Sequence, residues 1–511
     1  MDGGLFAPGG IQDASFAHLL DPKRKWYNNN RMILLNAWIV LFLITSSAVG
    51  YDATMMNGLQ SLPQWQTAFN YPSNGMLGLL NAIQNVKILL GCPVAPYFSD
   101  GIGRRKTAFV GALIMLAATA VQTASQSVRM FIAARFMIGF GLAIAGNAAP
   151  MLITELAYPV YRAQLTSLYN SIACTGALVA AWATYGTFKI HNTWAWRLPS
   201  LFQGIPSLLQ FALVLFAPES PRWLVSKGKE AEALEILAYY HADSNEQDPL
   251  VQYEFEEIKA AIKFDSTAVA NAGWKALVAT PGNRKRMRII VALAIFSQWS
   301  GTGPVGFYLY KVFNEIGITK SSTQLLLNGF LQVWNLFWAV LGAILVDRLG
   351  RRFLFLTSAG LMMLFYTAQT ICIAQYSEHG IPAAGHAFVV FVFLFFAAYD
   401  IAYIPLIISY TIEILPFHLR SKGFGAFGFV VVLALITNQY VNPFALDALG
   451  WKYYLVLNCL LAVEFVFLWF FLVETKNSTL EETVAIFDGE DALAKIHSLG
   501  KLSETSSDKH P

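Results

Sequence analysis

Apolar residues arrive along this chain in long runs broken by short polar stretches. A helix that crosses a bilayer needs about 20 mostly apolar residues. Twelve runs meet that length, at about 32–52, 75–98, 107–125, 130–153, 165–188, 198–217, 288–310, 323–346, 353–375, 385–411, 423–442 and 451–473. Several, such as GALIMLAATA and GFGLAIAGNAA, are rich in the small residues that let membrane helices approach closely. The pattern predicts an all-α membrane protein of twelve transmembrane helices in two six-helix sets, 32–217 and 288–473. The polar link between them, 218–287, combines helical apolar spacing with mixed charge and predicts short amphipathic helices. Residues 1–31 and 474–511 read as tails.

Composition agrees. Only 13% of the 511 residues are charged and 56% are hydrophobic, whereas a soluble domain carries about 25% charged residues. A net charge of +3 offers no surface for nucleic acid. The cations are unevenly placed. With both ends on one side, that side and the link hold 27 of the 35 lysines and arginines, the other side holds six, and Lys87 and Arg135 fall inside spans. The positive-inside rule then puts both termini in the cytoplasm, with the plasma membrane as the expected location. The polar start has no apolar core of a cleavable signal, so the first span is expected to direct its own insertion. All four cysteines lie in apolar runs without disulfide or zinc spacing. No phosphate-cradling Gly-x-x-x-x-Gly-Lys-Ser/Thr is present, nor any nucleophile, metal or redox pattern of an enzyme. Neither a cofactor nor an obligate protein partner is expected, and the eight histidines, in tails, links and span ends, read as solvated.

Two charged phrases occur twice. DGIGRR follows span 2 with Asp100, Arg104 and Arg105; DRLGRR follows span 8 with Asp347, Arg351 and Arg352. Glu155 and Arg162 follow span 4, and Glu413 and Arg420 follow span 10, each member 258 residues from its counterpart. Matched positions in each half indicate a duplicated six-helix unit. At helix ends these acids and arginines are placed to pair between neighbouring helices and form a cytoplasmic gate. The rival reading is that such clusters serve only as topogenic charge.

The paired GRR phrases, the stretch RFMIGFGLAIAGNAAPMLITELAYPVYRA, PESPRWL at 218–224 and VETKNSTLEE after span 12 together resemble the sugar porters of the major facilitator superfamily. The resemblance runs from about Trp38 to Glu482. GYDATMMNGLQSLPQW, SLYNS, SYTIEILPFHLRSKG and NQYVNPFALDALGWKYY look most like the fungal lactose permease and cellodextrin transporter branch. It implies the major facilitator fold: two pseudo-symmetric bundles with a cytoplasmic helical link, rocking about a central site. It also implies that Asp52, at the outer end of span 1, and Arg135, entering span 4, form a protonation switch. An acid beside an apolar run is costly and normally has a partner or a task. Arginine stays charged, so protonating Asp52 would free Arg135. A proton and a sugar are the implied small-molecule partners, and the lipid bilayer is the implied surrounding.

Sugars are held by neutral hydrogen-bonding groups. Span 5 offers Asn170; span 7 offers Ser297 and Gln298, with Gly303 where the family has Asn, and Tyr308 as an aromatic gate. Span 8 offers Asn335 and span 11 offers Asn438, Gln439 and Asn442. The family's span 10 Trp is replaced by Ile408, near Tyr403 and Tyr410. Lys87 and Asp400 lie near the middle of spans 2 and 10, where each lone charge costs roughly 2.5–3.5 kcal/mol on insertion scales. They are expected either to neutralise each other or to line the cavity; alternatively Lys87 snorkels and Asp400 is capped or protonated. Glu464, also inside a span, has no evident role. The leading expectation is a proton-coupled symporter of a disaccharide or hexose. The alternatives are a non-sugar cargo, imported or exported, a facilitative uniporter, or a sensor on a transporter scaffold.

Overall fold

A computed structural model describes residues 26–91, 94–268, 274–415, 419–475 and 487, and among these every regular element is helical. The first half runs through α1 (Asn30–Gln60), α2 (Pro63–Ala68), α3 (Asn74–Gly91), α4 (Ala95–Ile102), α5 (Arg104–Thr123), α6 (Val128–Leu156), α7 (Pro159–Ser171), α8 (Ala173–Thr187), α9 (Trp194–Phe202) and α10 (Gly204–Leu213). The link holds α11 (Pro221–Ser226), α12 (Glu230–His241) and α13 (Pro249–Ala268). The second half follows as α14 (Pro281–Trp299), α15 (Thr302–Glu315), α16 (Ser321–Leu349), α17 (Arg351–His379), α18 (Pro382–Asp400), α19 (Tyr403–Glu413), α20 (Arg420–Leu449) and α21 (Lys452–Phe471). Among the described residues, ten stretches are long and apolar enough to cross a membrane. The other two predicted runs are helical too: 75–98 holds the eighteen-residue α3, and 165–188 is divided at Ile172 between α7 and α8.

Local chemistry sets the helix ends. Ser127, Ser220 and Thr280 accept a backbone N–H from the third residue onward, at 3.3, 3.0 and 3.1 Å, and Pro221 and Pro281 occupy first-turn positions that lack a donor need. Gly103, Gly301 and Gly350, at φ 99°, 93° and 93°, turn the chain where two helices would otherwise fuse. Span 7 is thereby broken between α14 and α15, and span 10 is broken at Ile401–Ala402 between α18 and α19.

The chain divides into two compact units. The first draws its described residues from Met1–Met55, Val86–Ala183 and Ile190–Ala270. Its core holds Ile39, Phe42, Ala149, Leu152 and Val214. Here α5 and α6 cross so closely that a Cβ on Gly111 would lie 2.7 Å from the Gly141 carbonyl, and one on Gly141 2.8 Å from that of Gly111. Gly50 and Gly176 likewise face the carbonyls of Ala173 and Ser47, bringing α1 against α8. The link helices bury their own apolar face around Leu224, Leu237, Val251 and Phe255.

The second unit draws on Met56–Asn85, Thr184–Lys189 and Asn271–Pro511. Aromatic side chains fill it: Tyr366 stacks on Tyr454 at 5.7 Å between centroids, and Tyr399 on Tyr403 at 5.1 Å. In both units large apolar side chains stand outward from the spans, among them Val40, Leu113, Val179, Phe337, Leu364 and Val463. Such a surface suits lipid and not water.

Candidate functional site

The duplicated charged phrases build the same circuit twice. In the first unit Arg104 lies 3.1 Å from the exposed Asp100 carboxylate and 3.6 Å from Glu155, which also accepts a hydrogen bond from Ser220 Oγ. Glu219 accepts the backbone N–H of Arg105 at 3.1 Å and of Ser220 at 3.0 Å, while Arg105 Nη1 donates to the Ala217 carbonyl at 2.9 Å. In the second unit Arg351 pairs with Glu413 at 3.1 Å, and Thr475 Oγ1 donates to the same carboxylate at 2.6 Å. Glu474 accepts from the backbones of Arg351 and Arg352, each at 2.9 Å, and of Thr475 at 3.0 Å. Arg352 Nη2 donates to the Trp469 carbonyl at 2.8 Å. Each carboxylate therefore caps the unpaired N–H groups that open α5 or α17, where the helix dipole also favours an anion. Glycine is needed beside both. A Cβ on Gly103 would sit 2.5 Å from Glu219 Oε2, and one on Gly350 2.9 Å from Glu474 Oε2. The side chains of Asp347 and Arg420 lie outside the described residues.

Arg162 finds its acid in the link: its Nη2 lies 3.2 Å from Glu254 Oε1 on α13. The other carboxylate oxygen is 2.7 Å from His241 Nδ1, and His241 Nε2 is 3.2 Å from the Leu156 carbonyl at the end of α6. The expectation of a solvated histidine fails here. His241 is 2% exposed, because α12 tucks its last turn against α6.

Asp52 and Arg135 meet inside the first unit. Arg135 Nη1 donates to Asp52 Oδ1 at 3.0 Å, and each residue is 1% exposed. The second oxygen, Oδ2, is buried with no hydrogen-bond partner among the described residues. Two residues earlier, Gly50 lets α1 touch α8, and Tyr51 donates to the Pro199 carbonyl at 2.8 Å. The acid is thus held from both sides of its own helix.

The second unit gathers the neutral groups. Asn438 Nδ2 donates to the Gln298 carbonyl, which the break in span 7 frees from the helix ladder; Asn442 Nδ2 donates to Asn438 Oδ1, and Tyr453 donates to Asn442 Oδ1 at 2.7 Å. Gln298 Nε2 donates to Ser297 Oγ at 3.0 Å. A Cβ on Gly303 would fall on the amides of Asn438 and Asn442, so α20 fills the place where the resemblance leads one to expect an amide on span 7. Tyr308 donates to the Gln439 carbonyl, and Gln439 Oε1 accepts from Asn85 at 2.6 Å. Asn335, with its amide turned to donate, stands 3.1 Å from Asp400 Oδ2 and 3.0 Å from the Leu331 carbonyl. Glu464 has a partner as well, since Tyr403 donates to it. The side chains of Lys87 and Asn170 lie outside the described residues, so the Lys87–Asp400 relation has no geometry to report.

A family model described as "Sugar (and other) transporter" matches residues 38–487. The chain belongs to this family. It is 29% identical over 445 residues to an arabinose-proton symporter of Bacillus subtilis (strain 168), covering 85% of this chain and 90% of that one. It is 26% identical over 502 residues to a quinate permease of Neurospora africana, covering 91% and 90%. Among solved structures, the inward open xylose transporter XylE from E. coli superposes with a TM-score of 0.73 at 24% identity, over 89% of this chain and all of that one. This member of the family is accordingly a multi-pass membrane protein of the major facilitator fold and not an enzyme.

Several residues of these circuits escape sequence reasoning. Glu219 with Ser220 and Glu474 with Thr475 follow spans 6 and 12 as Glu-Ser and Glu-Thr, 255 residues apart. That spacing is close to the 258 of the other repeats and was the available signal. Glu254 carries no such mark.

Proposed function

We propose that this member of the family is a proton-coupled sugar symporter that works by alternating access, with both termini in the cytoplasm and the plasma membrane as its place of work. The buried Asp52–Arg135 pair carries the reading. One carboxylate oxygen is bound to the guanidinium at 3.0 Å and the other is buried with no hydrogen-bond partner among the described residues, which leaves one oxygen of the pair uncommitted. Protonation would cancel the attraction, so proton occupancy would bias the packing of α1 against α6. Arabinose–proton coupling in a relative of 29% identity supports the same chemistry here. The phrases shared with the fungal lactose permease and cellodextrin transporter branch support a disaccharide or hexose. Gln298, Asn335, Tyr308 and the Asn438–Asn442 chain are the proposed sugar-facing groups, and the two capped charge circuits are the proposed cytoplasmic gate.

A second reading keeps the fold and changes the cargo. It is favoured by Asp400, an acid beside Asn335, and by the span 7 positions where Ser297 and Gly303 replace amides. A relative that carries quinate supports such divergence. The test is proton movement in a host lacking its own sugar carriers, with external pH recorded on addition of lactose, cellobiose, glucose, xylose and a quinate-like acid. Alkalinisation with one sugar, abolished in Asp52→Asn, is the expected result. Silence with every sugar and a response to the acid would establish the second reading, and uptake without any pH change would make the chain a uniporter.

A further inference from the structure

One face of α14 turns from charged to apolar within about three turns. Arg284 and Arg288 are four residues apart and both exposed, so they share a face of the helix, and Val291 and Ile295 continue it. Arg286, between them, turns inward: it is buried, donates to Asn283 Oδ1 at 2.8 Å and lies over the Phe487 ring at 4.8 Å. Opposite this face, α21 supplies Phe467, which meets Phe296 edge-on at 5.5 Å and Phe471 at 4.8 Å between ring centroids. A groove of about 510 Å³ runs between the two helices, lined by Val278, Arg284, Arg288, Val291, Ile295 and Phe467. That volume is in the range of ligand clefts, about 300–1,000 Å³. The Arg288 guanidinium lies 5.7 Å from the centre of the Phe471 ring, which holds it beside α21. Just before α14, the one-turn 3-10 helix Trp274–Val278 turns Trp274 outward at 64% exposure and Val278 at 55%. An outward tryptophan marks the headgroup level of a bilayer. From Arg288 to Ile295 the helix then descends about 10 Å, into the hydrocarbon.

We propose that this groove binds one anionic phospholipid from the leaflet in which α14 begins. Its phosphate and headgroup acid sit on Arg284 and Arg288, and one acyl chain lies along Val291, Ile295 and Phe467. The charge is complementary. Arg104 and Arg351 at the rim have carboxylate partners, whereas among the described residues no acid pairs with Arg284 or Arg288. A guanidinium takes phosphate oxygens through paired N–H donors, and basic residues at a membrane surface draw anionic lipid. The apolar continuation of the same face decides the source of that phosphate. A free phosphate would cover the two arginines and leave the groove below them empty, while a phospholipid carries the anion and the chain at the spacing the helix presents. Bound there, the lipid ties the start of α14 to the end of α21 within the second unit. The site is independent of which cargo the protein carries, so it stands or falls apart from the symport reading.

The experiment uses the purified full chain in phosphatidylcholine nanodiscs that contain a small fraction of probe lipid. One probe is phosphatidylserine with a photoactivatable diazirine in its acyl chain, and the other is phosphatidylcholine with the same chain. After irradiation, labelled peptides are identified by mass spectrometry, and labelling of α14 and α21 is scaled to that of α9 and α10. The phosphatidylserine probe is expected to label α14 and α21 on the order of tenfold more than the phosphatidylcholine probe, the size two cations at a membrane surface give. Arg284→Gln with Arg288→Gln should bring the two probes to parity. Ile295→Trp fills the groove from an exposed position without touching the charge, serves where the glutamine pair folds poorly, and should cut labelling by both probes. Lys106→Gln with Lys227→Gln removes the same charge from exposed sites in the first unit and should leave the preference intact. Equal labelling by both probes in the parent would make this ordinary boundary lipid and overturn the proposal. So would labelling by neither probe, which would give the groove to a protein partner, or a preference lost equally in the Lys106/Lys227 control, which would assign it to overall surface charge. Labelling unchanged by Ile295→Trp would place the acyl chain outside the groove and refute the site as well.

Discussion

The two capping carboxylates allow a prediction whose size comes from the geometry. Glu474 accepts three backbone N–H groups at 2.9–3.0 Å, and Glu219 accepts those of Arg105 and Ser220 at 3.1 and 3.0 Å. A hydrogen bond to a charged group is worth about 1.5–3 kcal/mol, and an anion at a helix start adds about 0.3–1 kcal/mol. Glutamine keeps one acceptor oxygen but turns an NH2 toward donors, so at least one bond and the charge are lost. Glu219→Gln and Glu474→Gln should each cost about 2–4 kcal/mol. Because the two carboxylates belong to different compact units and share no hydrogen-bond partner in these circuits, the double variant should lose the sum of the single losses. Asp100 supplies the contrast. Its side chain is 71% exposed, and an exposed pair with Arg104 contributes about 0–1 kcal/mol, so Asp100→Asn should be nearly neutral. The assay is the loss of monodisperse protein on heating in detergent, with the parent and all four variants handled identically. If Asp100→Asn falls as far as either glutamine variant, net charge at the loop governs stability and the capping argument is wrong.

Other consequences follow from single contacts. Gly176→Ala would press a methyl group onto the Ser47 carbonyl, where both sides are backbone; a loss of about 3 kcal/mol is expected from overpacking, read as a collapse in the yield of folded protein, and a normal yield would refute the α1–α8 crossing. His241→Phe keeps the ring but removes the contacts to Glu254 and Leu156, and should cost about 2 kcal/mol; faster protease cleavage between α12 and α13 is the expected sign, and unchanged cleavage counts against the buried histidine. Gly303→Asn restores the family's residue yet drives it into Asn438 and Asn442, so uptake should fall further than in Asn442→Ala. Equal or improved uptake would mean that the span 11 amides do not occupy that space.

What the sequence made legible divides by physical range. The spans are readable because length and hydropathy are local properties, and Asp52 and Arg135 are readable because each interrupts an apolar run. The duplication is readable because both copies keep their residue types in order. Partner identity is another matter. Arg162 on α7 reaches Glu254, 92 residues away, because α13 packs Leu250 against Tyr158 at the turn between α6 and α7, and no local pattern foretells that. His241 was assigned to solvent for the same reason. The break of span 7 rests on Gly301 at positive φ, but Ser-Gly-Thr-Gly in an apolar run does not say which glycine turns. Asn57 is the extreme case: its Oδ1 takes the Leu309 N–H at 3.1 Å where α15 bends at Tyr308. One asparagine near a helix end has no signature, and its meaning exists only once α15 is bent beside it.

The two halves have kept one thing and changed another. At the charged rim the circuits agree residue by residue: Gly103 with Gly350, Arg104 with Arg351, Arg105 with Arg352, Glu155 with Glu413, Glu219 with Glu474 and Ser220 with Thr475. Deeper along the spans no such correspondence holds among the described residues. The first unit places an ion pair there, Asp52 with Arg135, whereas the second places acids against neutral groups, Asp400 against Asn335 and Glu464 against Tyr403. The rim solves a problem that both halves share, which is to close a helix start and hold a tight glycine turn at an aqueous edge. One solution serves twice. The interior faces no such common demand. A transporter that couples an ion to a neutral cargo needs a charge whose balance a proton can change, and it needs uncharged donors and acceptors that leave a sugar's hydroxyls satisfied. On the proposed symporter reading, placing the first in one half and the second in the other would let each be tuned without disturbing its counterpart. On this argument Asp52→Asn should abolish proton movement while sparing sugar exchange across the membrane, and Asn335→Ala should weaken sugar binding while leaving the proton stoichiometry of the residual uptake unchanged. If both changes struck both functions equally, the division of labour would be wrong.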